Sequence, residues 1–186
     1  MTILYIVLAV VALIIIWAIV SYNGFVRMVQ RAKEAWADID VQLKRRYDLI
    51  PNLVETVKGY AAHEAGVFDN VTKARAAAMG ATGAEAKGQA ENMLSGALKS
   101  LFAVSEAYPD LKANQNFLDL QHQLADTEDK IQAARRFYNG NVRDLTTAMQ
   151  SFPGNIIASS FHFEPMQYFQ LDAADAAARE PVAVKF

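Results

Sequence analysis

The chain has 186 residues, 53% of them hydrophobic and 20% charged, with a formal net charge of -2 and no cysteine. That length accommodates a membrane segment plus one domain, and so high an apolar share implies that something greasy is concentrated in one place. The missing cysteines exclude disulfides, thiolate metal sites and cysteine nucleophiles, and the near-neutral charge offers no broad electrostatic footprint for nucleic acid.

The apolar concentration is at the start. Ile3 to Val20, ILYIVLAVVALIIIWAIV, contains no charge, Gly or Pro. As a helix its roughly 18 residues rise about 27 Å, close to the ~30 Å hydrocarbon core of a bilayer. We read residues 1–22 as a transmembrane anchor. A cleaved signal peptide is the competing reading, but no Lys or Arg precedes the run and WAIVSYNG is a poor small-x-small cleavage site. Tyr5, Trp17 and Tyr22 suit the two interfaces, and no GxxxG marks a small-residue dimerisation face. Beyond the anchor, Arg27, Arg31, Lys33, Lys44, Arg45 and Arg46 outnumber Glu34, Asp38 and Asp40. The positive-inside rule then places the following domain in the cytoplasm and the N-terminus outside. A solvated helix face explains these bases more simply than a polybasic lipid-binding patch.

From Val29 the apolar residues Val29, Ala32, Trp36, Ile39, Leu43, Tyr47, Ile50, Val54, Val57 and Ala61 recur in steps of three and four. Pro51 stands inside this series without shifting its phase. The spacing predicts one helix from about Tyr22 to Ala78, kinked near Pro51, where the absent N–H frees the carbonyl of Tyr47. The alternative is a short break with Asp48 as N-cap and Pro51 in the first turn of a new helix. MGATGAEAKG, residues 79–88, reads as the first hairpin connection. A second helix is expected from about Ala84 to Tyr108, stopped by Pro109.

The cleanest pattern follows: Phe117, Leu120, Leu124, Thr127, Ile131, Ala134, Tyr138, Asn141, Leu145, Ala148 and Phe152 mark one amphipathic helix ended by FPGN. The expected fold is all-α, an N-terminal transmembrane helix followed by an elongated antiparallel bundle of long, coiled-coil-like helices. The domains expected are the anchor at 1–22, the bundle at 23–158, and an aromatic C-terminal segment at 159–186 that packs on the bundle or on a neighbour. Thr127 and Asn141 interrupt the apolar stripe, and a buried Asn that sets register explains them more simply than a ligand site.

AWADIDVQLKRRYDLIPNLVETVKGYAAHE (35–64), EAYPDLKANQNFLDLQHQL (106–124) and TEDKIQAARRFYNGNVRDLTTAMQSFPGNIIA (127–158) resemble the hallmark segments of the LemA family. The FHFEPMQYFQL segment and the PVAVKF ending are similar to that family too. The resemblance implies a single-pass, membrane-anchored helical bundle of bacterial type, with no established catalytic activity in the family, and the expected location is the bacterial cytoplasmic membrane. One magnetosome-associated branch is linked to membrane organelle formation, and some relatives are encoded near membrane metalloproteases.

Catalytic and cofactor chemistry finds no pattern to rest on. His63 and Glu64 begin HEAGV, which lacks the second histidine of HExxH, and His63, His122 and His162 have no metal-ligand spacing. GATGAEAKG is not a phosphate loop, there is no GxSxG elbow, and Asp126, Glu128 and Asp129 read as a solvated face. The Asn70 sequon has no meaning without a secretory context. No enzyme activity, metal, cofactor or nucleic acid is therefore expected.

Two polar clusters remain: Arg45, Arg46, Asp48, Asn52 and Glu55 around Pro51, and Arg135, Arg136, Asn139, Asn141 and Arg143 beside Tyr138. Pairing of these arginines with Asp48, Glu55 or Glu128 across the bundle is the simpler reading, and docking of a partner the sharper one. In the tail, Phe161, Phe163, Met166, Tyr168, Phe169 and Leu171 are expected to fold back over the bundle; a neighbouring subunit or lipid headgroups are the alternatives. The expected function is a membrane-anchored scaffold that self-assembles, with the lipid bilayer and further copies of the chain as partners. An adaptor for a membrane protease or another integral enzyme is the rival expectation.

Overall fold

The computed structural model describes residues 1–170, all of whose regular elements are helices: α1 (Thr2–Lys58), α2 (Ala65–Gly80), α3 (Ala84–Ser105), α4 (Pro109–Lys112), α5 (Gln115–Gln150) and α6 (Gly154–Ser160). The all-α fold follows from the three- and four-residue spacing of the apolar positions. Leu43, Ile50 and Val57 on α1, Leu94 and Leu101 on α3, and Phe117, Ile131 and Leu145 on α5 are all buried. The PVAVKF ending and Leu171 lie outside the described residues.

Two compact units form. The first comprises Met1–Ile39 with Ala134–Met166, the second Asp40–Ala133 with the segment from Gln167. In the first, Phe25, Leu145, Ile157 and Ala158 make a core against which Ala18, Met28, Val29, Ala148, Met149, Phe163 and Met166 pack. The Trp36 ring meets Tyr138 edge-on at 5.2 Å. Gly154 is needed here: a Cβ on it would sit 2.7 Å from the Ala148 carbonyl oxygen and 3.5 Å from the Phe25 ring.

In the second unit, helix directions follow from the cross-contacts. Lys58 lies over the Phe68 ring at 5.9 Å while the Tyr47 hydroxyl reaches the Ala78 carbonyl at 3.4 Å, so α2 runs antiparallel to α1. Arg46 meets Glu128 and Tyr60 meets Asn114, so α5 is antiparallel to α1 as well. Asn114 caps α5 by accepting the Phe117 N–H at 3.0 Å. Pro109 opens α4 at its first position, where a missing donor costs little.

The expectation of one helix from Tyr22 to Ala78 fails at its far end. α1 stops at Lys58, and residues 59–64 turn the chain before α2 begins at Ala65. Gly59, Tyr60 and Ala61 donate their N–H groups to Glu55 and Val57 carbonyls, tightening the last turn, and Ala61 stays buried, so the apolar spacing continues across the reversal. At Pro51 the helix is uninterrupted, and a new start capped by Asp48 does not occur. The carbonyl of Tyr47, which has no partner at position 51, instead accepts the Arg75 Nε–H from α2 at 2.8 Å. What looked like a defect in α1 is a docking point for α2.

α1 is the one described helix with the length and hydropathy to cross a membrane, with a mean hydropathy of 3.2 over its best window. Residues Met1 to Trp17 are all exposed, and Ala18 is the first that the rest of the protein covers. Full exposure forfeits about 1.5–3 kcal/mol for each large apolar side chain left in water, a cost that a surrounding bilayer removes.

Candidate functional site

Arg46 follows Leu43 by three residues and precedes Ile50 by four, so α1 carries its guanidinium into the core, where it is 2% exposed. Two carboxylates from different helices meet it. Glu91 on α3 accepts from one terminal nitrogen at 2.5 Å, and Glu128 on α5 accepts from the other at 2.5 Å. Ser95 lies 3.3 Å from the nitrogen that serves Glu128. The second oxygen of Glu91 accepts the Tyr47 hydroxyl.

Glu91 is fully buried, at 0% exposure, and Arg46 and Tyr47 supply the hydrogen-bond donors that a carboxyl group so placed requires. Burial, and then the hydrogen bond to Glu91, push the Tyr47 phenol far above its ordinary range, which keeps it a neutral donor. Lys87 sits 5.6 Å over the Tyr47 ring and donates to the Ala78 carbonyl at 3.1 Å. One level of the bundle thus joins α1, α2, α3 and α5 through directional bonds. The Nε of Arg46 and the Oε1 of Gln42, one turn apart on α1, are buried without a hydrogen-bond partner among the described residues. Of the pairings expected for Arg46, Glu128 is found.

The other expected residues separate by unit. Arg45 stands 3.8 Å from Asp126, and both are about half exposed. Lys130, with Arg45 contributing less, holds the Asp126 carboxyl below its usual range. Asp48 takes Lys44 and Glu55 takes Lys58, each within a single helical turn at the surface. Such pairs contribute about 0–1 kcal/mol. Pro51 and Asn52 are exposed, and the Asn52 carbonyl accepts the Thr56 hydroxyl at 2.8 Å.

Arg135, Arg136, Tyr138, Asn139, Asn141 and Arg143 belong to the first unit. Tyr138 is buried, Arg135 and Asn139 are half-buried, and Arg136 is exposed. Arg143 pairs with Asp144 at 3.2 Å. Asn141 donates to the Phe137 carbonyl of its own helix at 2.9 Å, and the fully buried Thr127 donates to Gln123 at 2.7 Å, so each polar stripe residue is satisfied within α5. Val142 takes the buried place next to Asn141, and Phe152 at the stripe's end is 80% exposed.

The described tail packs on the chain itself. Phe161 and Phe163 pack with tilted rings against Tyr22 at 4.8 and 5.6 Å, and Phe163 also meets Phe25 at 5.1 Å. Phe169 is 0% exposed, whereas Tyr168 is exposed. Gly88 on α3 is the seat of this segment: a Cβ there would fall 2.3 Å from the carbonyl oxygen of Gln170. Among the described residues no group of three or more His, Asp or Glu is disposed to hold a metal ion.

Three participants escaped the sequence reading: Glu91, Arg75 and Gly88. Glu91 had a signal, since it continues the stripe of Leu94, Leu98, Leu101 and Ser105 backwards by three, and a carboxylate on an apolar stripe requires a buried cation. Arg75 and Gly88 had none, because only the packed helices reveal what they meet.

An all-α body with one uncovered helix of membrane-spanning length among the described residues defines a helical-bundle protein and is consistent with a single-pass membrane protein. The chain belongs to the LemA family, whose model matches residues 35–186. Magnetosome protein MamQ of Magnetospirillum gryphiswaldense is 24% identical over 177 residues, covering 81% of this chain and 65% of that protein. Magnetosome protein MamQ 2 of Paramagnetospirillum magneticum is 26% identical over 178 residues, covering 82% and 65%. Protein LemA of Metamycoplasma hominis is 26% identical over 153 residues, covering 80% and 68%. The chain therefore spans just under two thirds of the length of its magnetosome relatives.

Proposed function

We propose that this protein is a non-enzymatic scaffold, anchored in the bacterial cytoplasmic membrane by α1, that works by assembling with further copies of itself to organise or remodel the envelope. The observation that carries the reading is that one helix holds both the uncovered apolar span and the core residues Phe25, Ala32, Ala35 and Ile39. A domain built on its own anchor cannot diffuse away from the bilayer. Confinement raises the effective concentration of its neighbours, so individually weak lateral contacts accumulate.

The buried ionic cluster fits a structural role, because the bonds of Arg46, Tyr47 and Glu91 tie helices together. Magnetosome proteins among the relatives agree with a membrane-associated task. The basic residues after the anchor favour a cytoplasmic bundle and an external N-terminus.

Cysteine cross-linking in native membranes tests the reading, since the chain has no cysteine of its own. Single-cysteine variants at exposed positions such as Ala37 and Arg136 should yield ladders of the protein alone. A single cross-linked band containing one different membrane protein would replace self-assembly with the adaptor role. Impermeant thiol reagents added to intact spheroplasts should leave both positions unlabelled, and labelling would reverse the orientation.

A further inference from the structure

The corner made by the α5–α6 turn and α6 leaves large apolar side chains largely uncovered. Phe152 is 80% exposed, Ile156 49% and Phe161 55%, although all three are large and apolar. Phe152 precedes α6, Ile156 lies within it and Phe161 follows it, while Ile157 and Ala158 of the same helix are buried in the first unit's core. The stretch from Ser151 to Phe163 contains no Lys, Arg, Asp or Glu. Isolated exposed apolar residues are ordinary, but three within ten residues of an uncharged corner call for a partner.

The position of that surface names its occupant. Ala18, which packs against the core formed by Phe25, Leu145, Ile157 and Ala158, lies inside the apolar run that ends at Val20. At about 1.5 Å per residue it sits roughly 3 Å within the end of that run. Phe161 meets the Tyr22 ring at 4.8 Å, and a helical side chain covers the turn N-terminal to its own Cα, which places this contact near the level of Ala18 and Ile19. The corner therefore stands at the depth where hydrocarbon gives way to headgroups. Phenyl rings and an isoleucine are at home there, and a charge would not be.

We propose that the α5–α6 corner is a second membrane contact, a foot in which Phe152, Ile156 and Phe161 insert into the bilayer interface beside the exit of α1. The inference rests on α1 crossing the bilayer, and it adds that the first unit touches the lipid at two points. A body held by one helix can swivel about it. A body held by a helix and a foot presents a fixed side to its neighbours.

Spin labels on the full-length protein in phosphatidylcholine–phosphatidylglycerol vesicles provide the test. Phe152→Cys and Ile156→Cys place labels on the foot, Leu13→Cys at mid-anchor, and Ala103→Cys on an exposed face of α3. Phe152 and Ile156 project into open surroundings, so a label there disturbs little packing. The foot requires that labels at 152 and 156 collide more with oxygen, which partitions into lipid, than with a water-soluble nickel chelate. The label at 13 should show the same sign and a larger ratio, and the label at 103 the opposite sign. If 152 and 156 behave like 103 while 13 stays in the hydrocarbon, the foot is wrong and the anchor stands. A label at 13 that meets the chelate freely overturns the anchor, and the foot falls with it.

Discussion

Replacing Arg75 by methionine should cost little or much depending on whether Pro51 is present. In the native chain the Tyr47 carbonyl has no helical donor at position 51, and the Arg75 Nε–H supplies one from α2 at 2.8 Å. A hydrogen bond with one charged partner contributes about 1.5–3 kcal/mol, and the half-buried setting of Arg75 favours the lower end. Arg75→Met should therefore destabilise the native bundle by about 1.5 kcal/mol. In a Pro51→Ala background the alanine's own N–H can take the carbonyl, so the same replacement should fall to about 0.5 kcal/mol, as for ordinary surface changes. The coupling of about 1 kcal/mol exceeds the ~0.3–0.5 kcal/mol within which independent sites add. Urea unfolding of the four full-length forms in mild detergent, followed by far-UV circular dichroism, measures it. Equal costs of Arg75→Met in both backgrounds would refute the idea that α2 caps the proline gap.

Arg46→Met leaves the Glu91 carboxylate buried without its counter-charge and should cost about 3–5 kcal/mol, with Arg46→Met/Glu91→Leu recovering a large part; thermal unfolding reports both, and a single variant as stable as wild type would contradict the site. Alkaline pH should destabilise the bundle. The folded-state pKa of Tyr47 is raised, so its contribution is complete below the unfolded phenol value of about 10 and is lost as pH climbs above it. Tyr47→Phe should flatten that alkaline limb while lowering stability at neutral pH, with Tyr138, also raised by burial, keeping a residual slope; unchanged limbs in a pH series of unfolding curves would count against it. Gly88→Ala gains about 1 kcal/mol in helix propensity but drives a Cβ into the Gln170 backbone, so Phe169 should lose its site, worth about 2–3 kcal/mol. Hydrogen exchange should then show lost protection at 167–170 with α1, α3 and α5 unchanged, and full protection there would show that the segment seats elsewhere.

The helices were legible wherever an apolar stripe met a clear stop. The stripe from Phe117 to Phe152 anticipates α5 to within two residues at each end, and Pro109 marks the limit that α3 approaches at Ser105. The end of α1 was hidden because Ala61 remains buried within the turn, so the phase of the stripe carried no trace of the reversal. Gly59, directly after Lys58, was the available sign, a glycine past a basic last turn. The site was half visible. Arg46 could be singled out as a charge beside an apolar face, and Glu128 as its partner, but Glu91 required knowing that its stripe faces α1. Which side chains cross between helices depends on helix rotation and level, and neither is written in the spacing of a single helix.

The central claim, assembly of the anchored chain with itself, is tested most directly by the mass of the full-length protein in nanodiscs and in mild detergent at micromolar concentration. A defined homo-oligomer, retained when the detergent is exchanged for lipid, is the predicted result. A monomer in both media, or a stoichiometric complex with one different membrane protein, would contradict it.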